Sequence, residues 1–221
     1  MADLGQLAVI FDLDGTLIDS AAQIHATTNR VLAAIDLGPT DRATVQSFVG
    51  NGLPALVDQL LAYHAAALPP TARADLIAAF AADYSANHDL TTLYPAVRGA
   101  LGDLATKGAA LGICTNKPIV PTRAILDHLE LTPLFGAILG GDSLPSRKPD
   151  PAPLLAAVQT LRQPRSVFVG DSEVDAETAR AAGLPFLLFT EGYRKSPLAA
   201  IPHTAAFSDW SELPELLRGL A

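Results

Sequence analysis

Short apolar runs alternate with helix-like segments along most of the chain. The runs lack polar alternation, which is typical of strands that are buried on both faces of a sheet. Five such strands are predicted, at Leu7–Phe11, Ala110–Cys114, Ala137–Leu139, Val167–Val169 and Phe186–Phe189. Helices are expected at about 96–107, 119–130, 151–162 and 174–182. Strands that alternate with helices in this way predict an α/β fold with a parallel, Rossmann-like sheet.

Residues 20–92 interrupt this alternation. Apolar residues recur there at spacings of three and four, which indicates amphipathic helices, as in the stripe Leu53, Leu56, Val57, Leu60 and Leu61. Breakers such as Gly50-Asn51-Gly52 and Pro69-Pro70 separate the stripes. We therefore expect a helical cap domain, residues 20–92, inserted after the first strand of an α/β core made of residues 1–19 and 93–221. Two interpretations of the insert stay open, a packing module and a lid over the strand ends.

Composition narrows the range of partners. The chain has 221 residues, 49% of them hydrophobic and 17% charged, so it can bury a sizeable core. Its formal net charge is −8 and it has no basic run, which speaks against nucleic acid as a partner. No apolar stretch is long enough to span a membrane, so we expect a cytoplasmic protein. The single cysteine, Cys114, excludes an intrachain disulfide and is expected to be a buried strand residue.

Polar clusters directly follow four of the predicted strands. Each cluster alone would fit a turn or a helix cap. The carboxyl ends of parallel strands meet at one edge of the sheet, so we expect the clusters to form a single site. Their members are Asp12 and Asp14; Thr115, Asn116 and Lys117; Arg147 and Lys148; and Asp171 and Asp175.

The charges in this predicted site indicate a bound cation. Four aspartates and Lys148 would lie together, and carboxylates at close range disfavour one another's charged form. A divalent metal with oxygen ligands resolves the repulsion, and Mg²⁺ prefers carboxylates, water and a substrate phosphate oxygen. The Thr115 hydroxyl and the Lys148 ammonium are suitable donors to phosphate oxygens. The sequence therefore favours phosphoryl transfer on a small phosphate ester with Mg²⁺ as the cofactor.

Four motifs in this order resemble those of a known family. The segments "FDLDGTLIDS", "CTNK", "RKPDP" and "GDSEVD", which run from Phe11 to Asp175, are similar to the four motifs of the haloacid dehalogenase superfamily. The helical insert after the first motif resembles that superfamily's cap. The resemblance implies that Asp12 is the nucleophile and forms an aspartyl phosphate, while Asp14 acts as general acid and then general base. It also implies that Mg²⁺ binds the side chains of Asp12 and Asp171 and the backbone carbonyl of Asp14.

The same resemblance assigns the remaining polar residues. Thr115 and Asn116 would hold the transferring phosphoryl group, and Lys148 would neutralise it and orient Asp12. Asp175 would hold Lys148 or a metal-bound water, with a simple helix cap as the alternative. Lys117 either extends the positive field or is a solvated lysine.

The expected substrate is 2-phosphoglycolate. Within the superfamily, the chain most resembles bacterial enzymes that hydrolyse this ester, through "DLDGTLIDS", "FVGNG" and "TNKP". The substrate carboxylate needs a second anion site, for which Gly50 and Asn51, just before a helix that starts near Leu53, are the candidates. The alternative is a glycine-rich linker. Residues 48–57 contain no Lys or Arg, which lowers the case for a sugar phosphomutase.

Other functions stay open at this point. The nearest are another small-molecule phosphatase of the superfamily and a β-phosphoglucomutase-like phosphomutase. A phospho-acceptor signalling domain also places aspartates, Thr and Lys at parallel strand ends, but the long insert speaks against it. Both a monomer and a homodimer are compatible with the sequence.

Overall fold

A six-stranded parallel sheet forms the centre of the molecule. The computed structural model describes residues 4–219. Its strands, numbered along the chain, are β1 (Leu7–Phe11), β2 (Ile18–Asp19), β3 (Thr92–Leu93), β4 (Ala110–Cys114), β5 (Phe135–Leu139), β6 (Arg165–Gly170), β7 (Phe186–Phe189) and β8 (Ala205–Phe207). The large sheet has the order β5-β4-β1-β6-β7-β8, and all its pairs are parallel. The predicted α/β fold with a Rossmann-like sheet is confirmed.

Helices cover both faces of this sheet and also fill the segment between β2 and β3. They are α1 (Ala21–Ala33), α2 (Arg42–Ser47), α3 (Leu53–Tyr63), α4 (Pro70–Ala86), α5 (Val97–Thr106), α6 (Ile119–His128), α7 (Ala152–Leu161), α8 (Glu173–Ala182) and α9 (Leu213–Arg218). Among the described residues, no helix is long and apolar enough to cross a membrane.

Strand β1 shows why the apolar runs have no polar alternation. Leu7, Val9 and Phe11 belong to the core on one face of the sheet, while Ala8 and Ile10 belong to the core on the other. All five residues are buried. Side chains alternate between the two faces of a strand, so a strand covered on both faces must be apolar throughout.

The segment between β2 and β3 has its own apolar cluster. Residues from all four of its helices pack together, among them Leu32, Val45, Leu60 and Phe80. The entering and leaving chain segments pair antiparallel, with Ile18 opposite Leu93 and Asp19 opposite Thr92. The division into a core of 1–19 and 93–221 and a cap of 20–92 stays a prediction.

Candidate active site

Asp12 lies just beyond the end of β1, beside a buried lysine. The Asp12 backbone N–H donates to the Val169 carbonyl of the neighbouring β6 at 2.9 Å, which extends the ladder and fixes the carboxylate at the strand end. The Lys148 Nζ lies 2.8 Å from the Asp12 Oδ1 and 2.7 Å from the Asp175 Oδ1. Lys148 therefore joins the end of β1 to the first turn of α8 (Glu173–Ala182) through two buried ion pairs.

Asp175 combines the two tasks that the sequence left as alternatives. Its Oδ2 accepts hydrogen bonds from the Ser172 hydroxyl at 2.6 Å and from the Ser172 and Asp171 backbone N–H groups at 3.1 and 3.2 Å. Ser172 in turn accepts from the Asp175 N–H, so the two residues form a capping box at the start of α8. The other oxygen, Oδ1, holds Lys148.

Asp171 is held from two other segments of the chain. Its Oδ1 accepts from the Thr16 hydroxyl at 2.7 Å, and its Oδ2 accepts from the Tyr193 backbone N–H at 2.6 Å. Gly15, with a φ of +88°, leaves room for this arrangement, because a Cβ there would lie 2.5 Å from the Asp171 Oδ2.

Three carboxylates converge at this place and could hold a metal ion. One oxygen from each of Asp12, Asp171 and Asp175 lies within 4.8 Å of the others. Burial, and the charge of Asp175 after it, raise the pKa of Asp12 to about 6 although Lys148 acts in the opposite direction. Burial and the charges of Asp175 and Asp12 also raise the pKa of Asp171 well above its ordinary value. One lysine does not balance this cluster, and its oxygen-only ligand set fits a hard divalent cation such as Mg²⁺.

Asp14 occupies a different environment from Asp12. Its Oδ1 accepts a hydrogen bond from the Ser20 hydroxyl at 2.6 Å. The Lys117 Nζ lies 3.0 Å from the same oxygen and 3.2 Å from Oδ2. The structure thus contradicts the interpretation of Lys117 as a solvated lysine. The two aspartates at the end of β1 pair with different lysines, so each carboxyl group has its own electrostatic surroundings.

Thr115 and Asn116 follow β4 and are both buried. The Thr115 backbone N–H donates to the Leu139 carbonyl at 3.0 Å, which extends the pairing of β4 with β5. The Asn116 amide nitrogen donates to the carbonyls of Gly50 and Lys148, both at 3.0 Å. Asn116 therefore ties the loop before α3 to the loop that carries Lys148, and its Oδ1 has no hydrogen-bond partner among residues 4–219.

A cavity of about 70 Å³ opens beside these residues, between the strand ends and helices α1, α3 and α4. Asp12, Asp14 and Thr115 line it on one side, and Gly50 lines it on the other. Asn51 is exposed and does not line the cavity. The structure thus brings the motif residues of the core together with Gly50 but not with Asn51, and the substrate-binding role of both cap residues stays a prediction.

Two tyrosines near the site were missed in the sequence. Tyr193 binds Asp171 through its backbone, and its hydroxyl donates to Asp19 at 2.8 Å. It follows β7, so the polar loop after a fifth buried strand was the available signal. Tyr84 of α4 lines the cavity but belongs to a helical apolar stripe, which the sequence alone does not distinguish from ordinary core packing.

Comparisons with known proteins agree with this geometry. A family model of the haloacid dehalogenase-like hydrolases matches residues 9–189. Phosphoglycolate phosphatases of Cereibacter sphaeroides and Rhodobacter capsulatus are 49% and 47% identical over 213 and 216 residues, which is 96% of this chain in both cases and 98% and 97% of those proteins. The crystal structure of a predicted phosphoglycolate phosphatase from Haemophilus somnus superposes with a TM-score of 0.90 at 28% identity, covering 98% of this chain and 99% of that chain. The chain therefore belongs to the haloacid dehalogenase-like hydrolase family, as one of its phosphatases.

Proposed function

We propose that this phosphatase hydrolyses 2-phosphoglycolate to glycolate and phosphate, with Mg²⁺ and through a phosphorylated Asp12. The observation that supports the proposal most is the pairing of the two aspartates with different lysines. Asp12 lies beside Lys148 and the carboxylate cluster, whereas Asp14 lies beside Lys117 on the cavity wall. Two carboxyl groups in different surroundings can take the roles of nucleophile and acid–base.

In the first step, a carboxylate oxygen of Asp12 forms a bond to phosphorus while the ester P–O bond breaks. Lys148, held by Asp175, orients Asp12 and lowers the pKa of its carboxyl group against the effect of burial. Asp14 gives its carboxyl proton to the leaving alkoxide oxygen, so that glycolate leaves as the alcohol and Asp14 becomes a carboxylate.

In the second step, a water oxygen attacks the phosphorus of the aspartyl phosphate. Asp14 takes a proton from that water, and the bond between phosphorus and the Asp12 oxygen breaks. Phosphate and the Asp12 carboxylate are regenerated, and Asp14 again carries the proton that the next cycle needs. The Thr115 hydroxyl and the Asn116 side chain would contact the oxygens of the transferring group, and this use of Asn116 requires its amide to exchange one of its present partners.

The side chains of Asp12 and Asp171 and the backbone carbonyl of Asp14 would hold Mg²⁺. When bound, Mg²⁺ supplies positive charge that balances the three carboxylates and the phosphoryl oxygens. Asp175 is the least suited of the three clustered carboxylates to ligate, because its oxygens already accept from Lys148, Ser172 and the Asp171 N–H.

The substrate assignment rests on similarity and on the size of the cavity. The relatives named above are phosphoglycolate phosphatases, and they share about half of their residues with this chain. A cavity of about 70 Å³ suits a two-carbon alcohol better than a hexose. We expect a kcat/KM for 2-phosphoglycolate at least about 100-fold above that for β-glucose 1-phosphate, because the larger sugar does not fit without opening the cavity.

Steady-state assays with a panel of phosphate esters, with Mg²⁺ and with EDTA, test the proposal. Turnover should require Mg²⁺ and should disappear in Asp12→Asn. Asp14→Asn should lose turnover of alkyl phosphates and still bind Mg²⁺, because its backbone carbonyl is unchanged. The exposed Asp58 of α3 provides a matched control, and Asp58→Asn should retain activity. A flat profile across the panel would support a generalist phosphatase, and full activity of Asp12→Asn would exclude the aspartyl-phosphate route.

A further inference from the structure

Lys117 has no task in the mechanism above, although it is buried in the cavity wall. Its side chain is 5% exposed. The Nζ contacts the Asp14 carboxylate at 3.0 Å and lies 3.6 Å from the centroid of the Tyr84 ring. The ion pair with Asp14 compensates the burial of the Lys117 ammonium. The ammonium is thus held between a core carboxylate and an aromatic ring of the insert.

Tyr84 adds a second polar group at the same place. The residue is 3% exposed, and its hydroxyl is buried. The hydroxyl makes no hydrogen bond of normal geometry to any residue between 4 and 219, although Lys117 and Ser20 lie near it. A buried phenol that lacks a well-aligned hydrogen bond is unfavourable, and a ligand carboxylate at this place can accept its proton.

The charges on the cavity wall also bear on which ligand can bind. Of the described residues that line it, only Lys117 is cationic. Most of the remaining wall is apolar, with Ile24, Leu53 and Phe80 as examples. A carboxylate brought into such a space needs a charged partner, because it loses its hydration and the wall supplies few donors.

We propose that Lys117 and Tyr84 together bind a carboxylate of the substrate, separated from the ester oxygen by one carbon. The proposal rests on the proposed function, because it requires Asp14 to face the ester oxygen. Lys117 contacts Asp14, and Asp14 would contact the ester oxygen, so Lys117 lies no more than two hydrogen-bond lengths from the ester oxygen. A carboxylate attached one carbon away from the ester oxygen spans this distance. The substrate class is then the phosphate esters of short 2-hydroxy carboxylic acids.

This site differs from the Gly50-Asn51 turn that the sequence indicated for the same carboxylate. The Gly50 carbonyl oxygen points to the Asn116 amide, and Asn51 lies at the surface. A carbonyl oxygen is an acceptor and disfavours an anion. Lys117 follows β4, whereas Tyr84 belongs to α4, so a carboxylate between them connects the sheet to the insert.

The test compares two substrates of nearly equal shape in wild-type and variant enzymes. They are 2-phosphoglycolate and carbamoylmethyl phosphate, its uncharged carboxamide analogue. We expect Lys117→Met to lower the ratio of kcat/KM for the carboxylate to that for the carboxamide by about 100-fold, because it removes one partner of a buried charge pair. Tyr84→Phe keeps the Lys117–Asp14 pair and should lower the same ratio by about 10-fold. Lys107→Met, at the end of α5, is the control and should leave the ratio unchanged.

A binding measurement separates recognition from catalysis. Calorimetry with 3-phosphonopropionate and propylphosphonate, which the enzyme does not hydrolyse, should show that Lys117→Met weakens only the carboxylate-bearing ligand. Circular dichroism of each variant checks that it is folded.

The outcomes distinguish the inference from the proposed function. The wild-type enzyme could prefer 2-phosphoglycolate while Lys117→Met and Tyr84→Phe leave the ratio of kcat/KM for carboxylate to carboxamide unchanged. That result would support the proposed function and overturn the carboxylate site. A wild-type enzyme that does not discriminate between the two esters overturns the substrate assignment and the site together. A selective fall of the ratio and of 3-phosphonopropionate binding supports the site.

Discussion

Lys148 offsets part of the negative charge of the carboxylate cluster. Its side chain is 3% exposed and contacts Asp12 and Asp175 at 2.8 and 2.7 Å. Burial disfavours its charge, but the two carboxylates outweigh burial and raise its pKa. A buried ion pair contributes little net stability, yet the loss of one partner is costly because the other charges remain buried.

Lys148→Met should therefore impair both folding and catalysis. We expect the free energy of unfolding to fall by about 3–5 kcal/mol and kcat to fall by at least about 1,000-fold, because a charge that acts on the transferring group is lost. Denaturant titration and steady-state assays measure the two effects. Lys107→Met is again a useful control, since Lys107 pairs at 3.8 Å with a largely exposed Asp103. A Lys148→Met enzyme of normal stability would contradict the importance of the buried pairs.

Cys114 should be chemically inert in the folded protein. It is fully buried in β4, and burial raises its pKa to about 12, so almost no thiolate exists near neutral pH. Alkylation with iodoacetamide should be slow in the native state and fast in denaturant. Rapid stoichiometric labelling of the native enzyme would show that β4 opens more readily than its packing implies.

At the residue scale, the sequence predicted which motif residues meet at the sheet edge, but it did not predict which other side chains contact them. Asp12, Asp171 and Lys148 were predicted to meet because parallel strands end at one edge of the sheet. The contact of Lys117 with Tyr84 joins residues on different elements and follows from tertiary packing, which leaves no local pattern in the sequence.

At the scale of elements, long apolar strands were predicted well and short ones were missed. The bounds of β1, β4 and β7 match the prediction residue by residue, because each is a continuous apolar run. Strand β8 has three residues, and β2 and β3 have two each, so they are too short for a period to appear. Strand β8 forms by pairing with β7, and β2 and β3 form by pairing with one another.

Tyr193 links the loop after β7 to the start of α1. Its hydroxyl accepts from the backbone N–H groups of Ser20 and Ala21 at 2.8 and 3.0 Å and donates to Asp19. The Ser20 side chain does not cap the helix, so a tyrosine distant in sequence accepts from both N–H groups. The Asp19 Oδ1 is a second acceptor for the Ala21 N–H at 3.1 Å. Its own backbone N–H holds Asp171.

Tyr193→Phe should loosen the entry into the insert. Removal of the hydroxyl leaves the Ser20 N–H unsatisfied, whereas the Ala21 N–H keeps Asp19 as an acceptor. The unsatisfied group should cost about 1–3 kcal/mol. Hydrogen exchange should become faster at the Ser20 amide in particular, whereas a general loss of stability would speed exchange over the whole chain. Tyr63→Phe, at a side chain that is 55% exposed, provides the control. Unchanged exchange at the Ser20 amide would show that Tyr193 is not its effective hydrogen-bond acceptor.

At the scale of the whole molecule, the enzyme is acidic and its proposed substrate is an anion. The net charge is −8, so binding depends on local positive charge rather than on attraction by the whole surface. Lys148 and Lys117 are the buried cations near the cavity, and each already faces a carboxylate. A bound divalent cation would supply the charge that these pairs do not.

Mg²⁺ should stabilise the fold more at pH 7.5 than at pH 5. The pKa of Asp12 is raised from 3.8 to about 6, so the folded state holds a proton that the unfolded state releases between these values. Without metal, the contribution of Asp12 to the free energy of unfolding therefore falls as pH rises from 3.8 to about 6. The pKa of Asp171 is also raised, so its contribution falls in the same direction and extends to higher pH. Mg²⁺ competes with these protons, so the rise in Tm on adding Mg²⁺ should grow with pH. Asp171→Asn should reduce this growth, and a Tm shift independent of pH would contradict the metal assignment.

The short pairing of β2 with β3 determines how the helical insert is joined to the rest of the chain. Asp19 and Thr92 lie opposite one another, so the chain enters and leaves the helical insert at two points about 5 Å apart. A segment of any length can be accommodated between two such points without moving a catalytic strand. The same pairing geometry is that of a hairpin, and a short turn between these residues would close the gap. We therefore expect that the four helices can be replaced without a shift of the strands in the large sheet.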